Sequence, residues 1–137
     1  MIAMLVSTDG CAMSQSQKIR VLVVDDHPIL RLGLAIFFAT QDDLDMVGEA
    51  GDGQEAIDLC GQLQPDVVLM DLSLPVMDGI TATSIITDHY PRTRVVVLTN
   101  TLAAERKRAA LRAGASSYLE KNVSNDTLAD AIRAAAA

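Results

Sequence analysis

The chain has 137 residues, of which 50% are hydrophobic and 21% are charged, and its formal net charge is -7. This length corresponds to one domain, and the composition excludes a largely disordered chain. The acidic balance disfavours direct nucleic-acid binding by this chain, because affinity for the phosphate backbone depends on Lys and Arg. No apolar run approaches the roughly 20 residues of a membrane helix, and the two cysteines favour a reducing, cytoplasmic setting over a disulfide framework.

The first 17 residues show no regular strand or helix periodicity. Because Met13 opens a stretch that would make an ordinary protein start, we predict that residues 1–12 are an upstream extension outside the fold. A short native tail is an equally good interpretation. We therefore assign residues 1–17 to a tail or extension and residues 18–137 to a single domain.

Strand-like and helix-like segments alternate from Lys18 onward. The short apolar runs typical of strands buried on both faces cover residues 19–24, 46–50, 66–70, 94–98 and 117–120. Segments with helical spacing of apolar residues cover residues 29–39, 55–63, 79–88 and 103–113, followed by a last helix capped by Ser124, Asn125 or Asp126. Pro28 suits a first helical turn, and Gly114 suits the position just beyond a helix. The alternation predicts an α/β fold with a doubly wound, five-stranded parallel sheet.

Polar residues stand where four of these strands end. Asp25 and Asp26 follow the first strand, Asp71 the third, Thr99 the fourth and Lys121 the fifth. Ligands of doubly wound sheets bind outside the carboxyl ends of the strands. We therefore expect these five side chains to share one edge of the sheet.

The predicted cluster has the chemistry of phosphoryl transfer. Its three carboxylates repel one another, and a hard divalent cation such as Mg2+, which prefers oxygen ligands, is the natural compensation. Lys121 supplies a positive charge and Thr99 a hydroxyl donor for a phosphoryl oxygen. Asp71 is the best candidate for a carboxylate nucleophile, because it ends the central strand. His27 and His89 are interpreted as isolated, with no zinc-type spacing.

Each of these residues alone is more often a turn, a helix cap or a surface group. Their conjunction at four strand ends favours the functional interpretation. The sequence also resembles the receiver domains of bacterial two-component response regulators over residues 18–136. The matching motifs are VLVVDDHP (21–28), DVVLMDLSLPVMDG (66–79), VVVLT (95–99) and RAGASSYLEK (112–121). The first and last look most like the NarL/FixJ subfamily, whose members usually carry a helix-turn-helix output domain.

The resemblance implies a flavodoxin-like sheet with strand order 2-1-3-4-5 and a role for each matching residue. Asp71 would be the phosphoacceptor, Asp26 a direct Mg2+ ligand and Asp25 a ligand acting largely through water. The backbone carbonyl of Ser73 would complete the protein's share of the metal shell. Lys121 would form an ion pair with a phosphoryl oxygen.

Two further residues match the family's switch pair. On phosphorylation the Thr99 hydroxyl would move to the phosphoryl group, and the Tyr118 ring would turn into the space that it leaves. Asn100 departs from the small residue usual beside the switch threonine, which leaves the lifetime of the phosphoryl group open.

By the same resemblance, the partner is a sensor histidine kinase or a phosphotransfer protein, and phosphorylation can lead to a homodimer. The output would be transcriptional regulation through a DNA-binding domain outside these residues, or protein contact by a stand-alone receiver. The chain would catalyse no reaction other than its own phosphorylation and dephosphorylation.

Two alternative functions fit the sequence less well. A haloacid-dehalogenase-like phosphatase would need an Asp-x-Asp pair, and a pseudo-receiver would not need Asp71 and Lys121.

Overall fold

A computed structural model describes residues 18–100 and 103–137. Five parallel strands form one sheet in the order β2-β1-β3-β4-β5. The strands are β1 (Ile19–Val24), β2 (Leu44–Ala50), β3 (Val67–Met70), β4 (Arg94–Thr99) and β5 (Ser117–Glu120). The helices are α1 (Pro28–Ala39), α2 (Gly53–Leu63), α3 (Gly79–His89), α4 (Ala104–Arg112) and α5 (Asn125–Ala136). The predicted fold class and strand order are confirmed, whereas the predicted extension over residues 1–12 lies outside the described residues.

The sheet is central because its inner strands β1, β3 and β4 are buried on both faces along their apolar runs, as the sequence predicts. Helices α2, α3 and α4 cover one face, where Ala56, Cys60, Ile86 and Ala110 pack against alternate strand residues. Helices α1 and α5 cover the other face, where residues such as Phe38 pack against the strand residues that point to that side. The period of two along each strand thus divides the core into two layers.

Helix boundaries follow local capping. The Asp52 side chain accepts a hydrogen bond from the Glu55 backbone N–H at 2.8 Å, so α2 begins at Gly53, two residues earlier than predicted. Of the three predicted caps for α5, Ser124 is the one that precedes the helix, and its hydroxyl accepts from the Thr127 N–H. Gly114 lies at φ +111° beyond α4, a conformation that favours glycine and confirms its predicted place.

Helix α1 begins at Pro28, which occupies the first turn as predicted. Leu34 and Phe38 are buried from it. Its opposite side exposes three large apolar side chains: Ile29, Leu32 and Ile36. No helix within residues 18–100 and 103–137 combines the length and apolar character needed to cross a bilayer.

An ion-pair network ties α5 to the segment before β2. The Arg133 guanidinium donates to both carboxylate oxygens of Asp43 at 2.7 and 3.0 Å, and to the Gln41 side chain at 3.0 Å. These hydrogen bonds hold the pKa of Asp43 below its usual value. A lowered pKa in the folded state stabilises the fold above the unfolded-state pKa, and this contribution is lost as pH falls through the folded-state pKa.

We therefore expect Asp43→Asn to lower the urea midpoint modestly at pH 7, because the pair lies near the surface. The difference from wild type should disappear as pH falls below about 4. Urea titrations across this range test the prediction, with Asp42→Asn at an exposed neighbouring carboxylate as control. A difference that persists unchanged in acid would contradict it.

Candidate functional site

The residues predicted to form the site lie at the C-terminal ends of the strands, which we call the carboxyl edge of the sheet. Asp25 follows β1 and Asp71 follows β3, and each is only 3% exposed. Thr99 is the last residue of β4 and is also buried, while Lys121 directly follows β5. Asp26 lies at the exposed rim, with 38% of its side chain accessible.

Backbone hydrogen bonds extend the parallel ladder beyond the strands and position these side chains. The Asp71 N–H donates to the Val24 carbonyl at 3.0 Å, and the Lys121 N–H donates to the Thr99 carbonyl at 2.9 Å. Similarly, the Asp25 N–H donates to the carbonyl of Ala50 at 3.0 Å. The site therefore inherits the rigidity of the sheet.

Lys121 bridges the two buried carboxylates. Its Nζ lies 2.7 Å from Asp25 Oδ2 and 3.0 Å from Asp71 Oδ2. Burial raises the pKa of Asp71, and the hydrogen bond and charge of Lys121 oppose that shift without cancelling it. Burial acts to lower the pKa of Lys121, but its bonds to Asp25 and Asp71 outweigh burial and raise it. Lys121 thus remains a cation beside a carboxylate that burial makes more basic.

His27 is a member of the site that sequence reasoning missed. Its interpretation as an isolated histidine was wrong, because the ring Nδ1 lies 2.7 Å from Asp25 Oδ1 and 3.2 Å from Asp26 Oδ1. The His27 backbone N–H also donates to Asp25 Oδ1, at 2.8 Å. Adjacency to the acidic pair was the available signal. The direction of the ring is set by the turn between β1 and α1, which the spacing did not reveal.

The donor set fits a divalent cation. One ligand atom from each of Asp25, Asp26, His27 and Asp71 lies within 4.8 Å of the others. Three of the four are carboxylates, the hard oxygen donors that Mg2+ favours. The Ser73 N–H donates to Asp71 Oδ1 at 3.2 Å, which places this loop beside the cluster. The role of the Ser73 carbonyl as a ligand remains a prediction.

The predicted switch pair lies on two neighbouring strands. Tyr118 is in β5 and pairs with Val97 of β4, two residues before Thr99. Its side chain packs against the core layer under α2, α3 and α4. Burial raises the pKa of the Tyr118 phenol, and the charge of Arg106 opposes that shift. The role of Thr99 and Tyr118 as a switch pair remains a prediction.

Asn100 is exposed directly after the buried Thr99. Its effect on phosphoryl lifetime remains a prediction.

Comparison with known proteins adds an independent finding. The family model described as "Response regulator receiver domain" matches residues 21–133. The chain belongs to this receiver family. It is a receiver domain of response regulators of the LuxR/NarL type.

Individual relatives agree with the family. The transcriptional regulatory protein LiaR of Bacillus subtilis (strain 168) is 45% identical over 117 residues, which is 85% of this chain and 56% of LiaR. The chain thus spans about half the length of the curated relatives that it matches.

Solved structures give the same result. The signal receiver domain of the response regulator NarL from Mycobacterium tuberculosis superposes with a TM-score of 0.84 at 32% identity, covering 88% of this chain and 97% of that domain. RcsB from Salmonella enterica serovar Typhimurium, solved on promoter rprA with the phosphomimetic BeF3-, has a TM-score of 0.77 at 28% identity. That match covers 85% of this chain and 66% of RcsB.

Proposed function

We propose that Asp71 accepts a phosphoryl group from a histidine of a sensor kinase or phosphotransfer protein. In this step an Asp71 oxygen bonds to phosphorus, and the phosphorus–nitrogen bond of the donor breaks. The electron pair returns to the donor imidazole. The buried Asp71 carboxylate, held 3.0 Å from the Lys121 ammonium at the edge of an acidic cluster, is the observation that carries the proposal.

The remaining residues assist by position and charge. Asp26 at the rim and buried Asp25 and Asp71 would hold Mg2+, with the Ser73 carbonyl as a further ligand. A bound Mg2+ would supply neutralisation of charge on the phosphoryl oxygens. Lys121 would stabilise the same oxygens by its charge, and the Thr99 hydroxyl would donate to the phosphoryl group once Asp71 carries it. Tyr118 would then turn inward, and this movement would change the surface formed by β4, α4 and β5 in response to phosphorylation.

Helix α1 offers a contact surface for the phosphoryl donor. Its exposed apolar side chains Ile29, Leu32 and Ile36 follow closely after the acidic pair in the chain. Their spacing of three and four residues places them on one side of the helix, and a contiguous exposed apolar patch can mark a protein contact site. A kinase domain seated on them would bring its phosphohistidine to the carboxyl edge of the sheet.

We further propose that the chain catalyses only its own phosphorylation and dephosphorylation, acts in the cytoplasm and does not itself bind nucleic acid. RcsB was solved on a promoter with a phosphomimetic, which supports control of transcription through residues beyond this domain. Homodimerisation on phosphorylation would serve that output. A stand-alone receiver that acts by protein contact is the second candidate, and the downstream reading frame distinguishes the two.

The proposal predicts Mg2+-dependent labelling by a small acyl phosphate or amidophosphate donor. Intact-mass spectrometry should show the gain of one labile phosphoryl group, and peptide mapping should place it on Asp71. Asp71→Asn should abolish the gain, because a carboxamide is not a nucleophile, whereas Asp88→Asn at an exposed carboxylate should not. Wild-type protein that gains no labile phosphate with Mg2+ and donor would overturn the proposal.

A further inference from the structure

The His27 side chain neither caps the following helix nor lies in the core. The residue precedes α1, but its side chain makes no capping hydrogen bond to that helix. Its side chain is 64% exposed, so burial does not explain its orientation either. Nevertheless the ring nitrogen Nδ1 lies 2.7 Å from the buried Asp25 carboxylate and 3.2 Å from the exposed Asp26 carboxylate.

The ring nitrogen contacts oxygens that an ion in the cluster would bind. Asp25 Oδ2 is held by Lys121, and Asp25 Oδ1 accepts the His27 backbone N–H and contacts the His27 ring. The ring nitrogen also contacts Asp26 Oδ1. A cation that takes these oxygens therefore either displaces the ring or accepts Nδ1 as a ligand.

Geometry favours ligation for ions that bind nitrogen. The four candidate ligand atoms, Nδ1 included, lie within 4.8 Å of one another. Ligands on opposite sides of one ion at bond lengths of about 2.0 to 2.3 Å are separated by roughly 4.0 to 4.6 Å, so little movement is needed. Neutral imidazole is a common ligand through either ring nitrogen.

We propose that His27 is a specificity-determining residue of the metal site, and that its Nδ1 ligates first-row transition ions. Imidazole suits such ions, whereas Mg2+ prefers oxygen and retains water. The ring therefore favours an ion such as Co2+ over Mg2+ at the site formed with Asp25, Asp26 and Asp71. This inference rests on the proposed function, because it concerns the ion that assists phosphorylation of Asp71.

Isothermal titration calorimetry of the full chain with Co2+ and, separately, with Mg2+ tests the inference. The variant His27→Phe keeps a planar ring and the backbone N–H but has no ring nitrogen. We expect it to lose Co2+ affinity on the order of tenfold, while its Mg2+ affinity changes much less, so that the ratio of the two affinities falls. The control His89→Phe, at an exposed histidine on the last turn of α3, should leave the ratio unchanged.

A spectroscopic readout separates ligation from a simple ion pair. In the Co2+ form, the ring N–H of a ligating histidine gives a strongly shifted proton resonance that is lost in D2O, and His27→Phe should remove it. Equal changes in Co2+ and Mg2+ affinity, or a wild-type spectrum without this resonance, would overturn the inference. If the inference fails in this way, Mg2+-dependent labelling of Asp71 would still support the proposed function. Conversely, a His27 resonance in a protein that gains no phosphoryl group would support the inference and contradict only the proposed function.

Discussion

Gly79→Ala is expected to destabilise the fold by about 3 kcal/mol, because overpacking against backbone cannot be relieved by a side-chain rotation. Gly79 begins α3, and its N–H donates to the Leu72 carbonyl at 2.9 Å. A Cβ at this position would overlap the backbone carbonyl of Asp71 and approach the Leu72 Cα to 2.7 Å. Relief therefore requires displacement of the segment that carries Asp71.

The same displacement should slow phosphorylation. Asp71 is aligned by its N–H bond to Val24 and by its contact with Lys121, and a shift of its carbonyl disturbs both. Urea unfolding measures the loss of stability, and mass spectrometry at fixed donor and Mg2+ concentrations measures the labelling rate.

Gly33→Ala is the matched control for this glycine substitution. Gly33 lies within α1, and a Cβ there would meet nothing within 4 Å. Alanine should stabilise this helix by about 0.5 to 1 kcal/mol, because it loses less conformational entropy on folding than glycine. A Gly79→Ala protein as stable as wild type would show that the start of α3 moves independently of Asp71.

The fold was predictable because clear polar or turn-forming residues mark where most strands end. Apolar runs in β1, β3 and β4 are followed by Asp25, Asp71 and Thr99, and in an alternating α/β chain such runs predict a doubly wound parallel sheet. The strand order itself came from the resemblance to receiver domains. The convergence of Asp25, Asp71 and Lys121 then follows from topology, since parallel strands end at one edge. Residue types and strand ends were sufficient for this part of the site.

Other features depend on three-dimensional contacts that no periodicity encodes. Val76, in the loop between Asp71 and Asp78, has φ +68°, a conformation that costs a β-branched residue on the order of 1 kcal/mol. Arg31 reaches back from α1 to the Asp25 carbonyl while also pairing with Glu49 of β2. The orientation of the His27 ring belongs to the same turn. Such details arise from the joint packing of β1, α1 and β2, which is why the sequence indicated the carboxylates but not the residues around them.

Lys121→Met is expected to lower the free energy of unfolding by about 2 kcal/mol at pH 8 without divalent ions. Removing one partner of a buried ion pair typically costs about 3 to 5 kcal/mol, and a site at the sheet edge should lose less than a fully enclosed one. The Lys121 side chain is 11% exposed, and the carboxylates of Asp25 and Asp71 that it leaves are almost completely buried. The control Lys107→Met, on the exposed side of α4, should change stability by less than about 0.5 kcal/mol.

The pH dependence of this loss has a defined sign. The pKa of Asp71 is already raised by burial, and removal of Lys121 raises it further because the opposing charge is gone. A carboxyl group whose pKa is raised in the folded state binds a proton more tightly there than in the unfolded chain. It therefore stabilises the fold at acidic pH, and that contribution is lost as pH rises through the folded-state pKa. The difference in free energy of unfolding between wild type and Lys121→Met should thus grow from acidic to neutral pH.

Mg2+ should stabilise Lys121→Met more than wild type. In the variant the ion is the main remaining counter-charge for Asp25 and Asp71, so it should bind more tightly. A ligand that binds only the folded state stabilises it more when its dissociation constant is lower. Urea titrations at several Mg2+ concentrations measure this increment in both proteins. Equal increments would mean that Lys121 does not share these carboxylates with the ion. A larger increment would show that lysine and metal neutralise the same charges, which is the condition for Lys121 to turn from Asp71 to an incoming phosphoryl group.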